Sequence, residues 1–526
     1  NWIDKMLRKN TFTHRYTLNV RGGTEKAKYF VSAAYYNESG IFKGSPTKQY
    51  NTNIGIDRIN LRSNIDMNVS STTTVGVDLA LQYLVNNYPG TGTANIFRSM
   101  LITPPYTFPA VYSDGTVSTY SQERDANMRN PYNLLMNSGY AKEYRTAIQS
   151  KVYVDQKLDF ITKGLSLQIK GAYNTNYNVK VYRAPTGTNS KYTPIYLGTI
   201  NTPGMDFTDP RFDNTIVYQT DGVSGLNEPM SYSEATGRGR NWYGEFSLNY
   251  NRSFGDHDVS GLFLYNQSKK YYPETKIDGK VFYVDIPTAY IGYVGRLTYA
   301  YKKRYMLDLN AGYNGSENFA PDKRFGFFPA ASVGWTLSEE KFMKRFTKLN
   351  NLKVRLSYGL SGNQDIALYQ TLPLMRQQNV MLGEIPQIGY VPDRLGNDKL
   401  KWETTAQVDF GIEASFFNSR LNVELDFYSK RTKDLLLDVE FPYVSGFKNG
   451  FMNVGKISNR GVELMIRTTN IMTKDFTWST EFNISTNKNE VLAMGPDKDF
   501  EYTFRPGLGT HPYSWLKVGQ PVGVFY

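Results

Sequence analysis

Apolar and polar residues alternate along much of the chain, and this period of two constrains the fold more than any other feature. In one segment, Ile59, Leu61 and Ile65 share one face, whereas Arg62 and Asn64 share the other. The same alternation recurs in further segments: 75–83, 165–173, 242–250, 352–358, 407–416 and 421–427. A period of two is typical of β-strands that have one apolar and one polar face. We count about sixteen such strand candidates, which indicates a large all-β, antiparallel up-and-down architecture.

The predicted strands are joined by two kinds of connection. Short turns rich in Gly, Asn, Lys and Asp separate strand pairs at residues 254–258, 301–305 and 417–420. Long connections with little alternation are predicted at residues 86–147, 178–240 and 362–403. Short turns at one end and long extracellular loops at the other are typical of transmembrane β-barrels of the bacterial outer membrane. The pattern therefore predicts such a barrel, with residues 1–526 forming its wall and loops.

Composition supports this fold and excludes several classes of function. The chain is 15% aromatic, its mean hydropathy is -0.48, and no apolar run approaches the length of a membrane-spanning helix. Because only alternate strand residues face lipid, a barrel tolerates this low hydropathy. Cysteine is absent, so thiol chemistry and Cys-based metal sites are excluded. The net charge of +12 is spread along the chain, which suits contact with anionic lipid and lipopolysaccharide better than nucleic acid.

Aromatic residues are concentrated near the ends of the predicted strands, at Tyr35–Tyr36, Tyr299, Tyr301, Phe416–Phe417 and Phe427–Tyr428. Outer-membrane barrels carry girdles of aromatic side chains at both lipid–water interfaces. We therefore expect these residues to contribute to such girdles.

Four sequence motifs, in a fixed order, are the most specific signals in the chain. They occupy residues 325–342, 357–364, 400–413 and 453–463. The third motif includes Trp402, Glu403, Gln407, Asp409 and Gly411, and the fourth includes Asn453, Gly455, Asn459, Gly461 and Glu463. In residue type and spacing they are similar to motifs of the SusC/RagA group of TonB-dependent outer-membrane transporters of Bacteroidetes, and the resemblance runs essentially end to end.

The resemblance implies a complete barrel of about 22 strands with a plugged lumen. It implies active uptake of a glycan or peptide, energised by the TonB complex and assisted by a SusD-like surface lipoprotein, in dimers of transporter–lipoprotein units. On the same resemblance, the small N-terminal β domain, the TonB-contacting segment, the plug and the final barrel strands are expected to lie outside residues 1–526.

Two sets of candidate functional residues follow from the pattern. The polar strand faces are predicted to line the lumen through Arg62, Asn64, Asp66, Lys170, Glu245, Asp308, Arg355, Asp409 and Glu424. Aromatic side chains of the long loops are predicted to contact substrate, because an aromatic face packs against sugars and peptide side chains. These are Tyr88, Tyr106, Tyr112, Tyr140, Trp242 and Tyr243. No residue pattern points to a catalytic group, a cofactor or a metal site.

The residues alone leave other functions open. A passive, porin-like diffusion channel shares the same alternation but needs an open lumen. A glycoside-cleaving enzyme would need two carboxylates whose juxtaposition one sequence cannot reveal. A secreted β-rich adhesin would carry polar residues on both sheet faces, which the aliphatic faces of residues 59–69 and 421–427 argue against.

Overall fold

The main element of the fold is one antiparallel sheet of sixteen strands. The computed structural model of the chain describes all residues except 45–49, 106–109, 112–129, 185–191, 197–215, 221–229, 273, 278–279, 284–285, 384, 448, 496–499, 505–513 and 526. The strands of the main sheet follow chain order, interrupted only where small hairpins are inserted into long connections. This order confirms the predicted up-and-down topology.

The secondary structure is almost entirely strand. The first strands are β1 (Thr13–Gly23), β2 (Ala27–Ser39), β3 (Gly55–Asn68), β4 (Thr73–Pro89), β5 (Tyr140–Lys157), β6 (Leu165–Ala184), β7 (Tyr192–Tyr196), β8 (Ile216–Thr220), β9 (Ser231–Phe254) and β10 (His257–Tyr271). The next are β11 (Glu274–Ile277), β12 (Lys280–Tyr283), β13 (Thr288–Tyr301), β14 (Tyr305–Ser316), β15 (Phe325–Thr336), β16 (Leu349–Asn363), β17 (Leu374–Leu382) and β18 (Ile385–Arg394). The last are β19 (Glu403–Phe416), β20 (Leu421–Glu440), β21 (Asn449–Met472), β22 (Thr477–Ala493), β23 (Phe500–Phe504), β24 (Ser514–Lys517) and β25 (Val524–Phe525).

Short helices accompany these strands: α1 (Trp2–Met6), α2 (Thr93–Ile102) and α3 (Pro131–Asn137). Single 3-10 turns lie at Leu337–Glu339, Lys341–Met343 and Tyr443–Ser445. Within the described residues, no helix is both long and apolar enough to span a membrane.

Contacts divide the chain into two compact units. Unit 1 comprises Asn1–Asn68, Gly76–Val152 and Ala172–Arg240, and unit 2 comprises Val69–Val75, Tyr153–Gly171 and Asn241–Tyr526. Unit 1 contains all three α-helices, whereas unit 2 contains the continuous series of strands from most of β9 to β22.

The two faces of the strands differ as the alternation predicts. On β3 in unit 1, Ile59 and Leu61 are 42% and 43% exposed, whereas Asn64 and Asp66 are half-buried. Large aliphatic side chains that remain this accessible, on strand after strand, form a surface suited to lipid rather than to a protein core. The polar side chains lie on the other face and pair with each other.

Aromatic rows flank the apolar band in unit 2. Tyr301, Tyr305 and Trp335 form one row near the short turns, with ring centroids 6.4 and 6.2 Å apart. A second row includes Tyr293 and Tyr313, eight positions along the same strands from Tyr301 and Tyr305. Eight residues cover about 27 Å along the strand, which at the usual barrel tilt of about 40° is roughly 20 Å of height, comparable with the roughly 25 Å apolar band of an outer-membrane barrel. Of the residues predicted for a girdle, Tyr301 lies in one of these rows, and its position at a lipid interface stays a prediction.

Tyr428 departs from that prediction. It pairs with Asp409 on the polar face and its ring lies over Gly461, so it does not belong to a lipid-facing girdle. Tyr36 also lies on the polar side, where its hydroxyl donates to Glu38 and Arg58 lies over its ring.

The three predicted short turns are confirmed. They join β9 to β10, β13 to β14 and β19 to β20, and each requires residues with positive φ. Gly255 adopts φ 60°, which glycine tolerates without strain. Lys302, Lys303 and Phe417–Ser419 adopt the same left-handed region with side chains present.

The long connections are shorter than predicted, because strands extend into them. β4 continues to Pro89, β5 begins at Tyr140, β6 continues to Ala184 and β9 begins at Ser231. The predicted loop 362–403 contains the hairpin β17–β18. Beyond the bilayer no lipid selects apolar side chains, so these strand ends lose alternation without losing their backbone pairing.

The buried apolar clusters lie in the long connections rather than on the strand faces. In unit 1, Trp2, Met6, Phe42, Ile96 and Leu135 form one cluster that unites α1, α2 and α3. In unit 2, Phe319, Ile366, Leu400 and Trp402 form another. Each cluster gives its connections a core of their own, which fixes residues that would otherwise be flexible loop.

Candidate functional site

The polar face of the sheet carries ion pairs and hydrogen bonds that run across neighbouring strands. In unit 1, the Arg62 Nε donates to Asn64 Oδ1 at 2.9 Å, and Asn64 Nδ2 donates to Asp78 Oδ1 at 2.7 Å. Lys151 Nζ lies 2.5 Å from the other Asp78 carboxylate oxygen. Asp66 lies on the same face of β3 as Asn64. This part of the predicted lumen lining is therefore already paired within the wall.

Two further networks lie on the polar face of unit 2. Lys170 Nζ is 2.8 Å from Glu245 Oε1, and the Tyr243 hydroxyl donates to Glu245 Oε2 at 2.5 Å. The Arg296 guanidinium donates two hydrogen bonds to the Asp308 carboxylate, at 3.1 and 2.6 Å. Bidentate pairing of this kind fixes both side chains and satisfies both charges.

Arg355 is the centre of the densest charge cluster. Its Nη1 lies 2.6 Å from Asp409 Oδ1, its Nε lies 3.3 Å from Glu413 Oε1, and its Nη2 pairs with Asp426. Lys353 adds a second cation, 3.6 Å from Glu413. Three carboxylates thus converge on one guanidinium, and each nitrogen of its fork has a partner. Glu424, the remaining predicted lining residue, pairs more loosely with Arg467 at 3.8 Å.

The motif glycines make room for these polar networks. A Cβ on Gly411 would lie 2.6 Å from the Arg355 guanidinium and 2.4 Å from Asp426 Oδ1, so only glycine allows the pair to meet across β19. A Cβ on Gly461 would lie 2.5 Å from the Tyr428 hydroxyl oxygen, and one on Gly455 would lie 2.8 Å from Leu435 Cβ. These glycines are explained by close side-chain approach across the sheet.

The other motif residues attach the long connections to the strands. The Trp402 indole N–H donates to the Arg324 carbonyl at 3.0 Å, and its ring packs on Phe319 and Phe328 at 5.5 and 5.3 Å. Asn453 accepts from the Lys401 N–H at 2.9 Å and donates to the Lys401 carbonyl at 2.8 Å, as a neighbouring strand would.

Four more motif residues, Glu403, Gln407, Asn459 and Glu463, lie beside residues of neighbouring strands. Glu403 accepts at 3.4 Å from Asn363, Asn459 accepts at 2.7 Å from Asn489, and Gln407 lines a shallow cavity beside Tyr358. Glu463 pairs in register with Asp426 on the polar face. The residues of the third and fourth motifs, at 400–413 and 453–463, therefore make mainly structural contacts.

A concave cavity of about 510 Å³ lies on the polar face of unit 2 near the short turns. Asp258, Asp308, Lys353 and Arg355 line it together with Ser and Thr hydroxyls. Asp308 and Arg355 are predicted lining residues, and both are already engaged in the ion pairs described above.

Four of the six aromatic residues predicted to contact substrate lie in strands, and the alternation already predicts a strand for Trp242 and Tyr243. Tyr88 is in β4, Tyr140 begins β5, and Trp242 and Tyr243 lie within β9. Trp242 shares strand parity with Phe246, which is 39% exposed on the apolar face, so it is directed away from the polar face that carries Tyr243 and Glu245. Tyr106 and Tyr112 lie outside the described residues.

Tyr88 and Tyr140 occupy different surroundings in unit 1. Lys180 Nζ lies 5.3 Å from the Tyr88 ring centroid and 5.0 Å from that of Tyr182, which forms a cation–π group at the polar ends of the strands. The Tyr140 ring instead packs against Tyr50 at 5.4 Å. Of the aromatic residues predicted to contact substrate, Tyr88 and Tyr243 lie beside charged polar-face groups.

Another cavity in unit 2, of about 550 Å³, is lined by residues for which the sequence pattern predicted no site. Asn241, Lys270, Asn318, Gln364 and Asp365 line it, at the end of the strands where the long connections begin. Gln364 belongs to a motif quoted above, but its motif role gave no sign of a cavity. Among the described residues, no group of three or more His, Cys, Asp or Glu side chains is arranged to hold a metal ion.

Fold and polar face together define an outer-membrane β-barrel protein. A family model described as "TonB dependent receptor-like, beta-barrel" matches residues 83–507. The chain belongs to this family. The outer membrane is accordingly its location.

Named relatives agree with this assignment. "TonB-dependent receptor P26" of Formosa agariphila is 29% identical over 540 residues, covering 100% of this chain and 50% of the relative. "TonB-dependent receptor SusC" of Bacteroides thetaiotaomicron is 26% identical over 531 residues, covering 96% of this chain and 50% of the relative. The chain thus spans about half the length of the curated relatives that it matches.

Solved structures share the fold. The RagAB peptide importer in its "closed-closed" state superposes with a TM-score of 0.75 at 19% identity, over 100% of this chain and 55% of that chain. The ferric enterobactin receptor PfeA of Pseudomonas aeruginosa superposes with a TM-score of 0.52 at 12% identity, over 94% of this chain and 65% of that chain.

Proposed function

We propose that the protein actively imports an oligomeric nutrient, a glycan or a peptide, across the outer membrane by TonB-dependent energy coupling. The observation that carries this proposal is the match to the TonB-dependent barrel family over residues 83–507 of a chain whose sheet has one lipid-suited and one polar face. The likeness to SusC and to a peptide importer supports import of an oligomer.

The arrangement of the long connections supports capture of cargo at the outer end. Two of these regions fold on apolar cores of their own, and Trp402 and Asn453 attach one of them to the strands. A diffusion channel needs loops that leave its mouth open, whereas a capture site needs loops held in a fixed arrangement. Tyr88 and Tyr243 are the aromatic residues that we propose for cargo contact.

The proposed partners follow from the same group. A SusD-like outer-membrane lipoprotein would close over the loops, the TonB complex would supply the energy, and two transporter–lipoprotein units would pair as a dimer. Extraction of the full-length protein in mild detergent, followed by mass spectrometry, tests this assembly. A stoichiometric lipoprotein is expected, and the barrel protein alone would count against the lidded importer.

Energy coupling is tested by uptake. Cells that express the full-length protein are given labelled oligosaccharides and oligopeptides, before and after collapse of the proton-motive force. Import of one of the two classes should stop when the force is collapsed. Uptake that continues unchanged would favour a passive, porin-like channel.

A further inference from the structure

The apolar, lipid-suited face of unit 2 carries positive charge at one place, on strands β20, β21 and β22. The exposed Phe427 marks this face of β20. Towards the long connections, the residues that share its face are mostly basic: Arg460 lies opposite Ser429 of β20 on one side and opposite Lys488 of β22 on the other. Five exposed cations on this face form a group that we call the basic patch: Arg431, Lys433, Lys456, Arg460 and Lys488.

The basic patch is not neutralised by its own strands. On the polar face, cations such as Arg355 and Lys170 are held by carboxylates. Within the part of the chain that the structure describes, none of the five patch cations forms an ion pair. A carboxylate on the same face, that of Glu490, lies opposite Ser458 and leaves a clear excess of positive charge. Because like charges repel, a bound anion would stabilise this arrangement.

A shallow groove of about 600 Å³ lies beside the patch on the same face. Its lining changes from apolar to basic along the strands, from Phe410, Phe427 and Val462 to Arg460 and Lys488. Arg460 is two residues from Val462, which is about 7 Å along the strand. A hydrocarbon chain on the apolar end would therefore place an attached anionic headgroup within reach of both cations.

The neighbouring strands show that this charge is not a general property of the face. On β13, β14 and β15, the lipid-suited face near the long connections carries aromatic residues, and the Tyr313 and Phe325 rings stack there at 4.9 Å. No Lys or Arg occurs at the positions of that face within the described segments 289–293, 311–315 and 325–329. The positive charge is thus confined to one part of the face, as a specific lipid site requires.

We propose that the basic patch and its groove bind one phosphorylated glycolipid of the outer leaflet, the lipid A anchor of lipopolysaccharide. Arg460 and Lys488 contact its phosphate, and an acyl chain lies along Phe427 and Val462. Guanidinium and ammonium groups pair strongly with phosphate oxygens. The long connections of outer-membrane barrels face the exterior, so the patch lies at the outer leaflet. The site is on the lipid side of the sheet, and the proposal therefore stands apart from the import of cargo.

Binding of lipids to the delipidated full-length protein in detergent tests this proposal. The probes are lipid A with two phosphates, the same lipid without phosphate, and phosphatidylglycerol. The parent should bind the phosphorylated lipid A most tightly. The double variant Arg460→Gln, Lys488→Gln should bind it on the order of thirtyfold more weakly, because each Lys or Arg beside an anionic lipid surface raises affinity about fivefold.

Arg420→Gln, Lys474→Gln is the matched control, since it also removes one Arg and one Lys. Both residues are exposed and lie in short turns at the opposite end of the same strands. This variant should bind lipid A as the parent does. An equal loss in both double variants would show that net charge alone governs binding, which contradicts a specific site. Parental binding of phosphatidylglycerol or dephosphorylated lipid A as tight as that of lipid A would contradict the glycolipid and its phosphate.

Two further measurements separate the other occupants of the patch. Without lipid, the patch variant should keep or exceed the parent's midpoint of thermal unfolding, because it loses like-charge repulsion, and lipid A should raise the parent's midpoint more than the variant's. A lowered midpoint without lipid would mean that carboxylates elsewhere in the full-length protein pair with the patch, and would overturn the proposal. Binding of the soluble, deacylated headgroup as tight as that of intact lipid A would instead assign the patch to a free phosphorylated sugar and also overturn it.

Discussion

Two of the cavities on the polar face of unit 2, one near the short turns and one near the long connections, differ in how their polar groups are satisfied. Near the short turns, Arg355 and Asp308 are fully engaged in ion pairs with neighbouring strands. Near the long connections, the amides of Asn241 and Gln364 retain unpaired acceptors. Charge on this polar face is thus a poor guide to ligand contact, because charged residues are the ones that the wall must neutralise.

The largest loss of folding stability is expected for substitution of Trp402. Trp402 belongs to the buried apolar cluster that also contains Ile366, a residue that lines the cavity near the long connections. Trp402→Ala removes a side chain that is 8% exposed, and should destabilise the protein by about 3–5 kcal/mol. Thermal or urea unfolding in detergent measures the change. Trp478→Ala is the control, because Trp478 is 53% exposed and its loss should cost about 1 kcal/mol or less. Equal losses would show that the loop cluster contributes no more than a surface residue.

The charged cavity is tested by Arg355→Met. This change leaves Asp409, Asp426 and Glu413 together without their shared cation, and should cost about 2–3 kcal/mol after allowance for partial exposure. Arg467→Met breaks two ion pairs, with Glu424 and Glu481, that are about half exposed, and should cost about 1 kcal/mol or less. If the two variants unfold at the same denaturant concentration, the network around Arg355 is not a structural one.

Gly411→Ala tests the contribution of the same ion-pair network around Arg355 without removing a charge. The new Cβ would lie within 2.6 Å of Arg355 and Asp426, so the pair must separate, at a cost of about 1–2 kcal/mol. Gly295→Ala is its control, because a Cβ there meets nothing within 4 Å. That variant should be neutral or slightly stabilising, since alanine is favoured over glycine in a strand by roughly 0.5–1 kcal/mol. Two equally destabilised proteins would contradict the steric explanation.

The strand alternation predicted more of the wall than of the site. It gave the correct face for Ile59 and Asn64, the correct short turns and the correct strand order, because a lipid surface on one side forces a period of two. It assigned Trp242 correctly to a strand but placed Tyr88 and Tyr140 in a long loop, although β4 continues to Pro89 and β5 begins at Tyr140. At Tyr88 and Tyr140, backbone hydrogen bonding extends the strands, but the side chains no longer alternate between apolar and polar.

The cavity near the long connections could not have been predicted from one sequence. Its walls come from Asn241, Ser268, Tyr290, Asn318 and Gln364, which are brought together only by the order of five strands. A single asparagine or glutamine at a strand end carries no periodic signal. The motif around Gln364 marked the region, but as a family resemblance rather than as a binding cavity.

The smallest effect on the free energy of unfolding is expected for substitution of Glu340, which lies in the turn region after β15. Hydrogen bonds from Tyr305, and then from Trp335, hold the pKa of Glu340 below the usual glutamate value. A depressed carboxyl pKa stabilises the folded state above the unfolded pKa, and this contribution is lost as the pH falls through the folded pKa. The stability difference between the parent and Glu340→Gln should therefore shrink on acidification below about pH 4. A difference that stays constant with pH would exclude the ionised carboxylate as its source.

The central claim, an energised importer rather than an open channel, is tested most directly by the conductance of single full-length molecules in planar lipid bilayers. A plugged transporter predicts a silent bilayer, because no continuous aqueous path crosses the protein until energy is supplied. A large, steady current from the complete protein would contradict the account and identify a diffusion channel.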